Sequence, residues 1–185
     1  QEGEKESFRL KYIHGGPLGT AELSLNEAWQ EILNFGRICY KGFTHIREAI
    51  DAHMTDSEEE KIDELVKYES ITDNIEFEIA TYLNEVSKGE LSESSASRIK
   101  KMYKIIGEME SLGDSGEAIS RMLTPARVHE QPFDKAMMDK LNRMLDLVDT
   151  AYQAMMANHY RALGAAVSVP VIIQTYNPAK GFKQP

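Results

Sequence analysis

The sequence predicts an all-α protein, an elongated antiparallel helical bundle, and three observations carry that prediction. No proline interrupts residues 18–124 or 133–169, so long helices are permitted there. Within those stretches apolar residues recur at alternating steps of three and four, the period of one helical face, whereas strands alternate by two. The stretches are divided by short links rich in cap and turn residues, and short links make consecutive helices antiparallel neighbours.

Residues 1–22 carry Gly15, Gly16, Pro17 and Gly19 and read as an extended N-terminal segment. The first helix is expected near 24–53, with Ser24 and Glu27 as a capping box and a stripe of Trp29, Ile32, Gly36, Cys39, Phe43, Ile46 and Ile50. A second capping box, Asp56 with Glu59, opens a helix near 56–87 whose stripe is Ile62, Leu65, Ile79, Leu83 and Val86; Gly89 suits its C-terminus. Ser92 caps a third helix near 92–123, striped by Ile99, Met102, Ile106 and Met109. Asp134 caps a fourth near 134–163, striped by Met138, Leu141, Leu145, Val148, Tyr152 and Met155. Each helix is about 45 Å long at 1.5 Å per residue. The bundle is thus expected over 23–164. Residues 165–185, with Val167, Val169, Val171, Ile172 and Ile173 near Pro170 and Pro178, read as an extended C-terminal segment.

The chain has 185 residues, 42% of them hydrophobic, enough to bury a core, and its apolar runs are far shorter than the roughly 20 residues a bilayer requires. Thirty acids against twenty-one bases give a net charge of −9, which repels phosphate backbones and argues against nucleic acid as a partner. A single Cys39 excludes an internal disulfide and any zinc site built on two thiolates. Because Gln1 is not an initiator and the helical repeat stops midway through a second unit, the chain is expected to be part of a longer protein.

The excess charge has an address. Residues 56–88 hold eleven acids against Lys61, Lys67 and Lys88. Most belong on a solvated face, but continuing the apolar count from Leu65 lands on Glu69, Thr72 and Glu76 before the stripe resumes at Ile79. In the third helix Glu110, Asp114 and Glu117 interrupt or flank the stripe beside Gly113 and Gly116, where small residues let a helix or an ion come close. In an antiparallel hairpin turning near Gly89–Ser92, positions 69 and 110, and 73 and 114, lie side by side. Glu69, Asp73, Glu110 and Asp114 are therefore expected to form one carboxylate layer, with Asp146 of the fourth helix as a further candidate.

Like charges gathered at a partly dry seam repel by several kcal/mol per close pair and require cations or protons. Two readings follow. A hard divalent or trivalent cation suits oxygen-only ligands spaced i, i+4 on one helical face. Alternatively, Arg37 and Lys41, counted back across the turn near residue 55, neutralise the acids, and the chain is a non-catalytic protein-interaction domain with an ion-pair layer and no metal. No catalytic constellation is evident. Di-iron bundles use Glu-x-x-His pairs, but the residues three before His45, His53, His129 and His159 are Gly42, Ile50, Ala126 and Met156. His53 and Cys39 fall on apolar stripes and read as core or boundary residues.

Glu69-Ser70-Ile71-Thr72-Asp73, followed on the next helix by Glu110-Ser111-Leu112-Gly113-Asp114, resembles the paired acidic signature of the PhoU family. Phe8 to Ile13, with Pro17 ahead of the first helix, is similar to the soluble tail of bacterial sodium/phosphate cotransporter family proteins. The resemblance covers roughly residues 8–123; the fourth helix looks like the first of a second unit that is not completed. It implies a PhoU-like three-helix unit plus a fourth long helix, with no enzymatic activity. It further implies metal binding (Fe, Mn, Zn or Mg) at Glu69, Asp73, Glu110 and Asp114, and regulation of phosphate transport. The implied partner is a membrane transporter domain of the same parent chain, at the cytoplasmic face of a bacterial inner membrane. Half a spare repeat also predicts self-association through apolar surface on the fourth helix, at Met137, Met144 or Tyr152.

Overall fold

The computed structural model describes residues 10–157, and these fold as four helices with no strand among them. They are α1 (Ala21–Asp51), α2 (Glu58–Ser87), α3 (Glu93–Val128) and α4 (Lys135–Ala157). Helices α1, α2 and α3 pack pairwise into a three-helix unit, while α4 lies chiefly on α1. Side-chain contacts fix the directions. Glu27 meets Tyr82 and His53 meets Glu58, so α1 and α2 are antiparallel. Glu22 meets Ser95 at one end and Thr55 meets Arg127 at the other, so α3 runs back alongside α1.

Most of the predicted stripe positions form the core, while Trp29, Ile62, Met138 and Met155 are only partly buried against it. Cys39, Phe43, Ile46 and Ile50 of α1, Leu65, Ile79, Leu83 and Val86 of α2, and Ile99, Met102, Ile106 and Met109 of α3 are all buried. None of the described helices is long and apolar enough to cross a membrane.

Helix ends depart from expectation where a side chain found a better use. Helix α1 begins earlier than predicted, capped by Thr20, whose hydroxyl accepts from the Leu23 N–H. Ser24 is instead fully buried, its hydroxyl accepting from the Leu18 N–H and donating to the Thr20 carbonyl. The Asp56–Glu59 box is also replaced. Helix α2 starts at Glu58, and this buried carboxylate turns back to accept from the Met54 N–H at 2.8 Å and to meet His53 Nδ1 at 2.8 Å. Met54 itself sits at φ 65, which makes the link tight enough for that return. Ser92 and Asp134 do cap as read, accepting from the Ser95 and Met137 N–H groups. Helix α3 continues through Pro125 to Val128, past its expected end at 123. Beyond the proline, Arg127 donates to the Thr55 carbonyl at 3.1 Å, so tertiary contact holds the last turn.

The N-terminal segment from Leu10 is held by one side chain. Glu31, fully buried, accepts from the N–H groups of Lys11, Tyr12 and Ile13 through Oε2 and from Asn34 through Oε1. On the far side of α1, α4 buries Leu145, Val148, Ala151 and Tyr152. Tyr152 is enclosed against the rings of Tyr40 and Phe43, so it is not the exposed apolar surface expected for self-association. Asp146 pairs with Arg47 at 2.9 Å, and Tyr40 donates to Asp149, so these two acids of the fourth helix face α1 and Asp146 does not join the carboxylate layer. The expected extension of α4 to 163, and the C-terminal segment 165–185, lie outside the described residues.

Candidate metal centre

The carboxylates meet because α2 and α3 approach closely at the level of the layer. Gly113 faces Thr72 and Gly116 faces Leu65: a Cβ on Gly113 would stand 2.9 Å from the Thr72 hydroxyl, and one on Gly116 2.8 Å from Leu65 Cδ1. Thr72, buried on the seam, turns its hydroxyl back along its own helix to the carbonyls of Tyr68 and Glu69. That satisfies the hydroxyl within its own helix, and Glu69 and Asp73 on either side of it approach Asp114 of α3.

Glu69, Asp73 and Asp114 each offer a carboxylate oxygen, and the three oxygens lie within 4.8 Å of one another. Glu110, the fourth residue expected in the layer, is not in that trio. It stands one turn along α3 from Asp114, close enough for that carboxylate to act on it. Two further acids surround the group: the charge of Glu76 acts on Glu110, and that of Glu117 on Glu69 and Asp73. Both had a sequence signal, since each lies seven residues beyond Glu69 and Glu110 respectively, the repeat of the same helical face.

The electrostatics are those of a group in need of positive charge. Partial burial and then the Asp73, Glu117 and Asp114 charges push Glu69 up from the ordinary carboxylate value. Burial and then Asp114 and Glu117 do the same to Asp73. Glu110 is raised furthest, to about 7, by burial first and then by Asp114 and the other charges around it. An ion-paired carboxylate moves the other way. The cation that offsets Glu69 is Arg121 of α3, which also pairs with Glu117. Of the two bases expected to neutralise the layer, Arg37 is exposed, and Lys41 holds its ammonium 5.2 Å from the centre of the Tyr68 ring.

Three carboxylates with converging oxygens, and a fourth able to shed a proton near neutral pH, suit a hard cation with oxygen ligands. The chemistry they offer is binding. Behind the layer, a cavity of about 10 Å³ borders Glu69, Thr72, Gly113 and Cys39, room for about one water. Cys39 is buried and its thiol is pushed well above the usual range, chiefly by burial, so it is an inert core group as its stripe position indicated. No known family, curated protein or solved structure matches the chain in comparison.

Proposed function

We propose that this chain is a non-enzymatic, metal-binding regulatory domain of, or for, a bacterial sodium/phosphate transport protein. The observation that carries the metal-binding part is the convergence of the Glu69, Asp73 and Asp114 oxygens within 4.8 Å, with Glu69 and Asp73 raised rather than lowered in pKa. The transport part rests on the resemblance of the two acidic motifs to the PhoU signature. In this reading the cation, one of Fe, Mn, Zn or Mg, ties α2 to α3, and its arrival or loss alters the surface offered to a transporter domain.

Thermal unfolding of metal-stripped protein tests the site. Glu69→Gln with Asp114→Asn removes repulsion at constant side-chain size, so the metal-free variant should be as stable as the wild type or more so. Metal at 100 times its dissociation constant stabilises a binding-competent fold by about 2.7 kcal/mol, so the wild-type Tm should rise with at least one of the four ions and the variant's should not. A variant less stable without metal, with neither protein responding to ions, would instead identify an interaction domain whose acids are ion-paired. The transport assignment is checked by phosphate uptake in cells carrying the same double substitution, which should be misregulated.

A further inference from the structure

A second group of ligand atoms lies away from the layer, near the end of the bundle where α1 turns into α2. His45 and Glu48 are three apart on α1, so they share a face, and the antiparallel α2 brings Glu64 across to them. His45 Nδ1 lies 3.3 Å from Glu48 Oε2 and 3.5 Å from Glu64 Oε2, and the three atoms are all within 4.8 Å of one another. A tetrahedral ion bonded at about 2.0–2.2 Å separates its ligands by about 3.3–3.6 Å.

The space between the two carboxylates already attracts a cation. Lys61 Nζ sits 3.1 Å from Glu48 Oε2 and 2.9 Å from Glu64 Oε2, the same two oxygens that face the imidazole. Its stem is partly exposed and flexible, so the ammonium can leave toward solvent and return. The imidazole is set apart from an ordinary surface histidine by its other nitrogen. His45 Nε2 is buried with no hydrogen-bond partner among the described residues, and the ring lies 4.5 Å from that of Tyr68, so the ring is held by packing and the Nδ1 edge is presented to the carboxylates.

We infer that His45, Glu48 and Glu64 form a second cation site, selective for a borderline divalent transition ion of the zinc class, in which Lys61 is the resident competitor. An imidazole among the ligands favours such an ion over the hard cations suited to oxygen-only ligands. With three protein ligands the fourth position is left to solvent. The inference is independent of the carboxylate layer: it would stand if the layer bound nothing, and fall on substitutions that leave the layer intact.

Zinc chloride titrated into the full chain tests it, with Glu69→Gln and Asp114→Asn present so that the layer does not contribute. One zinc per chain should bind, and ¹⁵N NMR should show the His45 Nδ1 resonance shifting on addition. His45→Gln should weaken that binding at least tenfold, while Lys61→Met, which keeps the stem and removes the charge, should tighten it several-fold. If the background substitutions cost the helical circular dichroism, the nitrogen shift and the tenfold loss are read in the otherwise unsubstituted chain. An unshifted His45 nitrogen, zinc affinity indifferent to His45→Gln, or weaker binding in Lys61→Met would overturn the assignment and leave an ion-pair network only.

Discussion

Glu31 and Glu58 are completely buried, whereas Glu69, Asp73, Glu110 and Asp114 all keep some contact with solvent, yet within the second group the carboxyls of Glu69, Asp73 and Glu110 are pushed above their ordinary value. The difference lies in what each carboxylate faces. Glu31 accepts from three successive backbone N–H groups and an amide, and Glu58 from a backbone N–H with His53 Nδ1 alongside and Arg127 at 3.6 Å. The layer carboxylates face mainly one another. Desolvation is tolerable when donors are supplied in place of water, and a milder desolvation is costly when the neighbours are like charges. The buried acids are satisfied parts of the fold, and the more exposed layer acids are the ones that the proposed reading assigns to a cation.

The largest effect should come from emptying a satisfied site. Glu58→Ala leaves the Met54 N–H and His53 without their partner and Arg127 without its nearby acid, and losses of this kind cost about 3–5 kcal/mol. Glu31→Ala should be of similar size, since it orphans three backbone donors at once. Urea unfolding monitored by circular dichroism measures both. Asp73→Ala in the metal-free protein should cost less than about 0.5 kcal/mol by the same assay, and a loss as large as that of Glu58 would dissolve the contrast.

That contrast was half legible in the sequence. The layer announced itself because Glu69, Thr72 and Glu76 broke an otherwise apolar count, and a break in a periodic signal is visible without coordinates. Glu31 and Glu58 broke nothing. Glu31 is adjacent to a stripe position and is enclosed only because residues 11–13 fold across it, and Glu58 was hidden behind a capping pattern at Asp56 and Glu59 that the chain does not use. Local signals such as Ser92 and Asp134 could be read because their hydrogen-bond partners lie three residues away. Ser24 could not, because its partner Leu18 belongs to a segment whose path is set by tertiary contact. The His45, Glu48 and Glu64 grouping was likewise invisible, since it depends on which faces of α1 and α2 meet.

Acidity should separate the two kinds of carboxylate next. Glu110 is raised from 4.5 to about 7, so between those values the native chain holds a proton that the unfolded chain has released. The native state then binds more protons, and stability falls as pH rises through that window. Below about 4.5 both states are protonated, and above about 7 neither is, so the loss is complete near neutrality. Metal-free protein should therefore be less stable at pH 7.5 than at pH 5 by about 1–2 kcal/mol, after discounting for the solvent that screens this partly exposed group. Glu110→Gln should flatten that part of the slope, and saturating metal should reverse it. An unchanged slope in Glu110→Gln would place the proton elsewhere.

Closer to the seam, Gly113→Ala tests whether backbone approach, and not acid content alone, makes the layer. Alanine favours a helix over glycine by about 1 kcal/mol, but its Cβ would stand 2.9 Å from a Thr72 hydroxyl already committed to two carbonyls, and overpacking of this kind costs about 1–3 kcal/mol. The expected net is a loss of about 1 kcal/mol in urea unfolding, accompanied by weaker metal binding as the two helices part. Stabilisation with unchanged metal affinity would mean that Thr72 simply rotates aside and the close approach is not what assembles the site.

The smallest effect is expected at Arg121, the cation that acts on Glu69 and pairs with Glu117. Its side chain is 72% exposed, and exposed pairs contribute only about 0.2–1 kcal/mol, so Arg121→Ala should change stability by no more than that. It should nevertheless act on metal binding in the opposite direction, because an arginine near the layer competes with an incoming cation. Removing it leaves the carboxylates more negative, and calorimetric titration should show the ion bound two- to threefold more tightly, with the gain shrinking as salt screens the longer-range charge. Weaker metal binding in Arg121→Ala, together with a stability loss above 1 kcal/mol, would show that the layer is neutralised from within and that its acids belong with Glu31 and Glu58 after all.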